Sequence, residues 1–162
     1  MRKYLLLLLV LIALGCTPLT PLPAPEDIPY SYQHFMDDLQ TANFTPELKE
    51  KIEVPYFTPK GQVMNLPKGK IQVFEYASNL QAKTEAGYVS PDGYIISRPQ
   101  LGTTEVTWNA PPHFYRKGRI IVMYIGDNKE ELSALETIMG TEFAGAKTAK
   151  YTLGDTQTPS AI

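Results

Sequence analysis

Residues 119–125 read RIIVMYI, the most apolar run between residues 30 and 145. After Arg119 neither alternating set of side chains is polar, so a strand here is expected to be covered on both faces and to lie at the centre of a sheet. Lys117-Gly118 supplies a turn just before it, and HFYR, residues 113–116, supplies the partner strand of a hairpin. Further upstream, Asn109-Ala110-Pro111-Pro112 interrupts the ladder, because neither proline has an N–H to donate. Downstream, Asp127 or Asn128 is placed to cap a helix running through Met139. Leu132, Leu135, Ile138 and Met139 fall at core spacing in that helix, and Gly140 stops it.

The same reading extends toward the N-terminus. KIQVFEY, residues 70–76, predicts a strand with Ile71, Val73 and Glu75 on one face and Gln72, Phe74 and Tyr76 on the other. Ser78 is the N-cap candidate of a following helix, with Leu80, Ala82, Ala86 and Tyr88 as its packing surface. In VSPDGYII, residues 89–96, proline fixes φ and glycine accepts positive φ, which makes a turn. Strands are expected at Tyr94 to Ser97 and at Thr104 to Trp108. Tyr32, Phe35, Met36 and Leu39 form one apolar helical face. Ile52, Val54 and Tyr56 alternate as a strand, Gln62 to Leu66 form another, and Pro59-Lys60-Gly61 turns between them. The order α-β-β-β-α-β-β-β-β-α predicts a single α+β domain over residues 30–145, an antiparallel sheet with its helices packed mostly on one face.

Outside that domain the chain changes character. Met1-Arg2-Lys3 precedes the apolar run YLLLLLVLIALG and Cys16, the sole cysteine. Two basic residues, an apolar stretch short for a bilayer span and a small residue at Gly15 predict a secretory signal over residues 1–15. Ala13-Leu14-Gly15-Cys16 resembles the lipobox of bacterial lipoproteins, with Ala13 where leucine is commonest. That resemblance implies that Cys16 is diacylated and becomes the mature N-terminus. Two acyl chains make a stable anchor where one is marginal, at about 0.8 kcal/mol per buried methylene. An acylated Cys16 leaves no thiol for a disulfide or a nucleophile. Thr17 after the cysteine points to outer-membrane sorting in a host with two membranes.

TPLTPLPAPEDIP, residues 17–29, completes a linker over residues 16–29. Its five prolines predict an extended spacer of about 3.1 Å per residue, reaching roughly 40 Å from the bilayer. Residues 146–162 lack periodicity and predict a flexible C-terminal tail. Without Arg2 and Lys3 the balance of 15 basic to 17 acidic residues becomes 13 to 17, a net charge of about −4. This balance argues against a nucleic-acid partner, which needs clustered Lys and Arg.

No catalytic constellation is legible. The chain has two histidines, His34 and His113, and no Cys/His/carboxylate spacing that suggests a metal or other cofactor. Its serines lack a glycine-flanked elbow, and no Gly-rich loop opens a helix as a phosphate cradle. Asp37-Asp38 and Glu130-Glu131 read as solvated helix faces. The densest chemistry is WNAPPHFYRKGR, residues 108–119. Trp108, His113, Phe114, Tyr115, Arg116 and Arg119 form a candidate binding surface, because aromatic rings beside prolines and guanidinium groups suit stacking and cation-π contacts. The competing reading is that Trp108 and Phe114 pack inward and that the cations merely flank a turn. His113 has no local carboxylate to orient it as a base.

VFEYAS, VSPDG, APPHFYRKGRIIVMYIGDN and the LSALETIMG helix together resemble a group of small bacterial lipoproteins and secreted proteins of uncharacterised function, over roughly residues 54 to 145. The resemblance implies one α+β envelope domain and carries no catalytic residues; Arg98 to Leu101 looks like a local elaboration of the turn region. The expected role is that of a membrane-anchored, extracytoplasmic, non-enzymatic module that binds or supports an envelope protein or glycan. The alternative is an enzyme acting on a cell-wall or exported substrate.

Overall fold

The computed structural model describes residues 29–145. The expected signal, Cys16 with its expected lipidation, the expected linker up to residue 28 and the segment 146–162 expected as a tail lie outside the described residues. In chain order the elements are α1 (Tyr32–Thr41), β1 (Glu47–Ile52), β2 (Gly61–Asn65), β3 (Lys70–Glu75), α2 (Asn79–Ala86), β4 (Ile95–Arg98), β5 (Gly102–Glu105), β6 (Pro112–Lys117), β7 (Ile120–Ile125), α3 (Lys129–Met139) and β8 (Ala144–Gly145). Six strands form one antiparallel sheet in the order β1-β2-β3-β7-β6-β8, and β4 pairs with β5 in a separate two-stranded sheet. The fold is α+β, as the element order predicts.

The RIIVMYI strand occupies the interior of the large sheet. Val122 is registered against Val73 of β3 on one side and Tyr115 of β6 on the other. Strand alternation sends Ile120, Val122 and Tyr124 to one face and Ile121 and Met123 to the opposite face, and all five are fully buried. On the first face they meet Phe35 and Leu39 of α1 and Leu135, Ile138 and Met139 of α3. On the second they meet Ala82 and Ala86 of α2 and an aromatic layer of Tyr56, Phe57, Phe74 and Phe114. Two helices therefore cover one face, while α2 covers the other.

The helix ends follow the sequence. Ser78 Oγ accepts from the Gln81 N–H at 3.1 Å, and Asn128 Oδ1 accepts from the Glu131 N–H at 3.1 Å. At the start of α1, Ser31 and His34 form a reciprocal capping box. The last turn of α3 receives Lys117, whose Nζ donates to the Ile138 carbonyl at 2.7 Å.

The domain's first residues are fastened to the β6–β7 turn. The Arg119 N–H donates to the Tyr30 carbonyl at 3.0 Å. Gly118 sits at φ +52°, and a Cβ there would fall 2.5 Å from the Tyr30 Cβ. Tyr30 also donates its hydroxyl to Asp38 at 2.6 Å and lies under Lys117 Nζ, 4.1 Å from the ring centroid.

Some boundaries differ from expectation. The strand expected at Ile52 to Tyr56 lies earlier, at Glu47–Ile52, where ELKEKI is exposed on both faces at the sheet edge. Tyr56 and Phe57 instead turn inward from the loop that follows. Leu80, expected on the packing face of α2, is 74% exposed, and Glu85 takes an inward position.

Candidate functional site

Strand geometry divides the 108–119 stretch between two faces. Phe114 belongs to the α2-side core and Tyr115 to the α1/α3-side core, both with no exposure, and His113 is buried as well. The reading of His113, Phe114 and Tyr115 as surface residues is corrected: β6 directs them to the two sheet faces, one covered by α1 and α3 and the other by α2 and the aromatic layer. Trp108 is half-buried. Its Nε1 donates to the Gly93 carbonyl at 2.9 Å, and its ring meets Tyr56 and Phe114 edge-on. Arg116 donates to Asn79 Oδ1 at 3.1 Å at the start of α2. Arg119 lies toward α1, with Nη2 3.0 Å and Nε 3.1 Å from Glu75 Oε1, an oxygen that also accepts from the Tyr32 N–H. The six candidates are thus distributed around the hairpin and do not share one patch.

His113 acquires a carboxylate that local sequence does not supply. Its Nδ1 lies 2.5 Å from Glu142 Oε2, and both side chains are almost fully buried. The pair joins β6 to the chain after α3. Chemically it is an oriented imidazole sealed from solvent, which suits a structural bond rather than proton exchange with a substrate.

Glu131 corrects the solvated-face reading of Glu130-Glu131. It is 1% exposed and accepts from the Lys68 N–H at 2.6 Å and from the Tyr124 hydroxyl at 2.9 Å. The carboxylate thereby clamps the β2–β3 turn and β7 to α3. Burial, reinforced by the bond to Glu131 and its charge, pushes the Tyr124 phenol up to about 12. Burial is also the leading cause of the upward shifts at Tyr30, Tyr76 and Tyr115.

The open cavity nearest a buried charge pair lies elsewhere. Thr58, Tyr88, Arg98, Pro99, Gln100 and Leu101 enclose about 440 Å³ between the loop after β1, the end of α2 and the β4–β5 turn. Behind it, Glu85 Oε1 accepts from Thr58 Oγ1 at 2.7 Å and Arg98 Nη2 at 2.9 Å. No local sequence pattern marks this site, because Thr58, Glu85 and Arg98 come from three separate segments. The available signal was a glutamate at the helical spacing of Ala82 and Ala86, facing inward with them.

Among the described residues, no helix is long and apolar enough to cross a membrane, and no group of three or more His, Cys, Asp or Glu side chains is arranged to hold a metal ion. Comparison of the chain with models of protein families, with curated proteins and with solved structures gives no match.

Proposed function

We propose that the chain is a lipid-anchored protein on the extracytoplasmic side of the cell envelope, its folded domain serving as a non-enzymatic binding or support module. The observation that carries this reading is the Gly15-Cys16 junction behind a basic start and an apolar run, followed by a proline-rich spacer and one folded domain. The resemblance to small lipoproteins belongs to the same reading and rests on the quoted segments alone. Support for a binding role comes from the open cavity beside Arg98 and from pairings that commit His113 and Arg119 to the framework. Residue 29 enters the domain beside the β6–β7 turn, a geometry compatible with presentation on a tether.

The alternative, an enzyme acting on a cell-wall or exported substrate, draws on the His113–Glu142 pair. An oriented imidazole is a useful base only where a substrate reaches it, and this one is buried. The binding reading is therefore preferred.

Mass spectrometry of the protein purified from membranes tests the anchor. A diacylated Cys16 terminus is expected, together with an uncleaved or unanchored Cys16→Ala variant. An intact Met1 terminus on the wild-type protein would overturn it. Affinity capture from the same membranes then tests for an envelope partner.

A further inference from the structure

Unsatisfied polar atoms cluster where the β4–β5 hairpin closes on the domain. Among the described residues, five buried side-chain atoms lack a hydrogen-bond partner, and three of them are Tyr76 Oη, Glu85 Oε2 and Arg98 Nε. Arg98 Nη2 lies 2.9 Å from Glu85 Oε1. The Tyr76 phenol sits close enough to feel both charges, since burial and then Glu85 raise its pKa while Arg98 lowers it. The three atoms have essentially no accessible surface, so solvent reaches them only when this seam parts. Buried polar groups without partners are destabilising, and here the closed arrangement alone suffers that penalty. The attraction between Arg98 and Glu85 opposes parting, but the desolvation of the two charges offsets much of it.

The hairpin is fastened unevenly. β4 and β5 form a two-stranded sheet of their own, an element that is marginal without packing, and Ile96 is its one buried strand residue. At the base, the Val106 N–H donates to the Tyr94 carbonyl at 2.9 Å and the Ser90 N–H to the Ile95 carbonyl at 2.7 Å. The Ile95 N–H donates to Ser90 Oγ, and Trp108 Nε1 to the Gly93 carbonyl, both at 2.9 Å. Toward the tip, among the described residues, two polar contacts reach the rest of the domain. They are the Ser97 N–H to the Tyr88 carbonyl at 2.9 Å and the Arg98–Glu85 pair. Pro99, Gln100 and Leu101 line the open cavity instead of a packed core. We propose that the tip, residues 97–103, is a flap that lifts about this base while Ile96 stays seated, with the Arg98–Glu85 pair as its latch. Lifting releases Arg98, joins the cavity to Glu85 and brings the three unpartnered atoms into water.

Native-state hydrogen exchange tests the flap, with the isotope-labelled full chain held in detergent and its amides followed by NMR. The Ser97 amide should be at least about 100-fold less protected than those of Ile121 to Tyr124 in β7, with Val106 at the base between them. Tyr76→Phe distinguishes opening of the seam from fraying that stops short of it. The variant removes an unpartnered hydroxyl, so it should stabilise the closed form against both the lifted flap and the unfolded chain. Protection of Ser97 and of β7 should rise by the same factor, at least about threefold. Ser97 protection equal to that of β7 would show that the tip parts only on global unfolding, and would overturn the proposal. So would a Ser97 amide unmoved by Tyr76→Phe while β7 gains, because the opening then does not reach the seam. A variant in which β7 gains nothing overturns it too, because the hydroxyl is then no penalty in the closed form. None of these outcomes depends on the state of Cys16, so the flap and the anchored reading stand or fall separately.

Discussion

His113 Nδ1 and Glu142 Oε2 meet at 2.5 Å across 29 residues of sequence, inside the protein, where β6 passes the segment that leaves α3. Removing one member of a buried pair leaves the other desolvated without its counterpart, which typically costs about 3–5 kcal/mol. Glu142→Leu or His113→Phe alone should therefore lower the unfolding free energy by that amount. The double variant His113→Phe/Glu142→Leu should lose less than the two single losses combined. Urea titrations of the four proteins measure the coupling. Strict additivity would show that the contact contributes nothing as a pair.

Val122 is fully buried between Val73 and Tyr115. A carboxylate there has no partner, and its desolvation costs several kcal/mol against a total stability of about 5–15 kcal/mol. Val122→Asp should abolish the cooperative thermal transition seen by circular dichroism. A variant that melts like the wild type would place the core elsewhere.

Gly118 combines positive φ with close approach of the Tyr30 backbone. Any Cβ meets both obstacles, and left-handed backbone alone costs about 1–3 kcal/mol at a non-glycine residue. Gly118→Ala should destabilise by at least that range in urea unfolding. Gly102 also has positive φ, but a Cβ there would meet nothing within 4 Å. Gly102→Ala should therefore cost less, and equal losses at the two sites would count against the Tyr30 contact.

Tyr30, Tyr76, Tyr115 and Tyr124 all hold their phenol protons more tightly in the folded state than in the unfolded chain. An unfolded tyrosine loses its proton near pH 10, so the folded state binds more protons above that pH and stability falls as pH rises. The contribution of Tyr124 is fully present below about pH 10 and is lost by about pH 12. Unfolding measured from pH 8 to pH 12 should show this decline, with a shallower slope in Tyr124→Phe. A flat profile through pH 12 would contradict it.

Legibility in the sequence tracked how local the determining physics was. The central strand was readable because Ile120 to Ile125 must be apolar on both faces, and the caps at Ser78 and Asn128 because a cap bonds within three residues. β1 carries no strand signal because ELKEKI has no buried face and hence no apolar alternation, while Val54 and Tyr56 alternate only because the loop that follows turns inward. His113, Phe114 and Tyr115 are illegible as buried residues because both faces of β6 are covered by elements distant in sequence, α1 and α3 over Tyr115 and α2 with Tyr56 and Phe57 over Phe114. Glu142, Glu85 and Glu131 were illegible as buried groups for one reason. Each carboxylate is matched by at least one group distant in sequence, and a single chain read in order shows acids but not their neighbours.

The attachment of Tyr30 beside Gly118 also fixes how the domain bears mechanical load. A pull on the chain ahead of residue 29 arrives at the junction of β6 and β7, where the Tyr30–Arg119 backbone bond and the knot of Tyr32, Glu75 and Arg119 receive it first. While that knot holds, tugging at the N-terminal side moves the body as a whole and leaves the interior ladders paired. Once it yields, α1 is the element drawn away, exposing Phe35 and Leu39 before any strand of the large sheet is extracted.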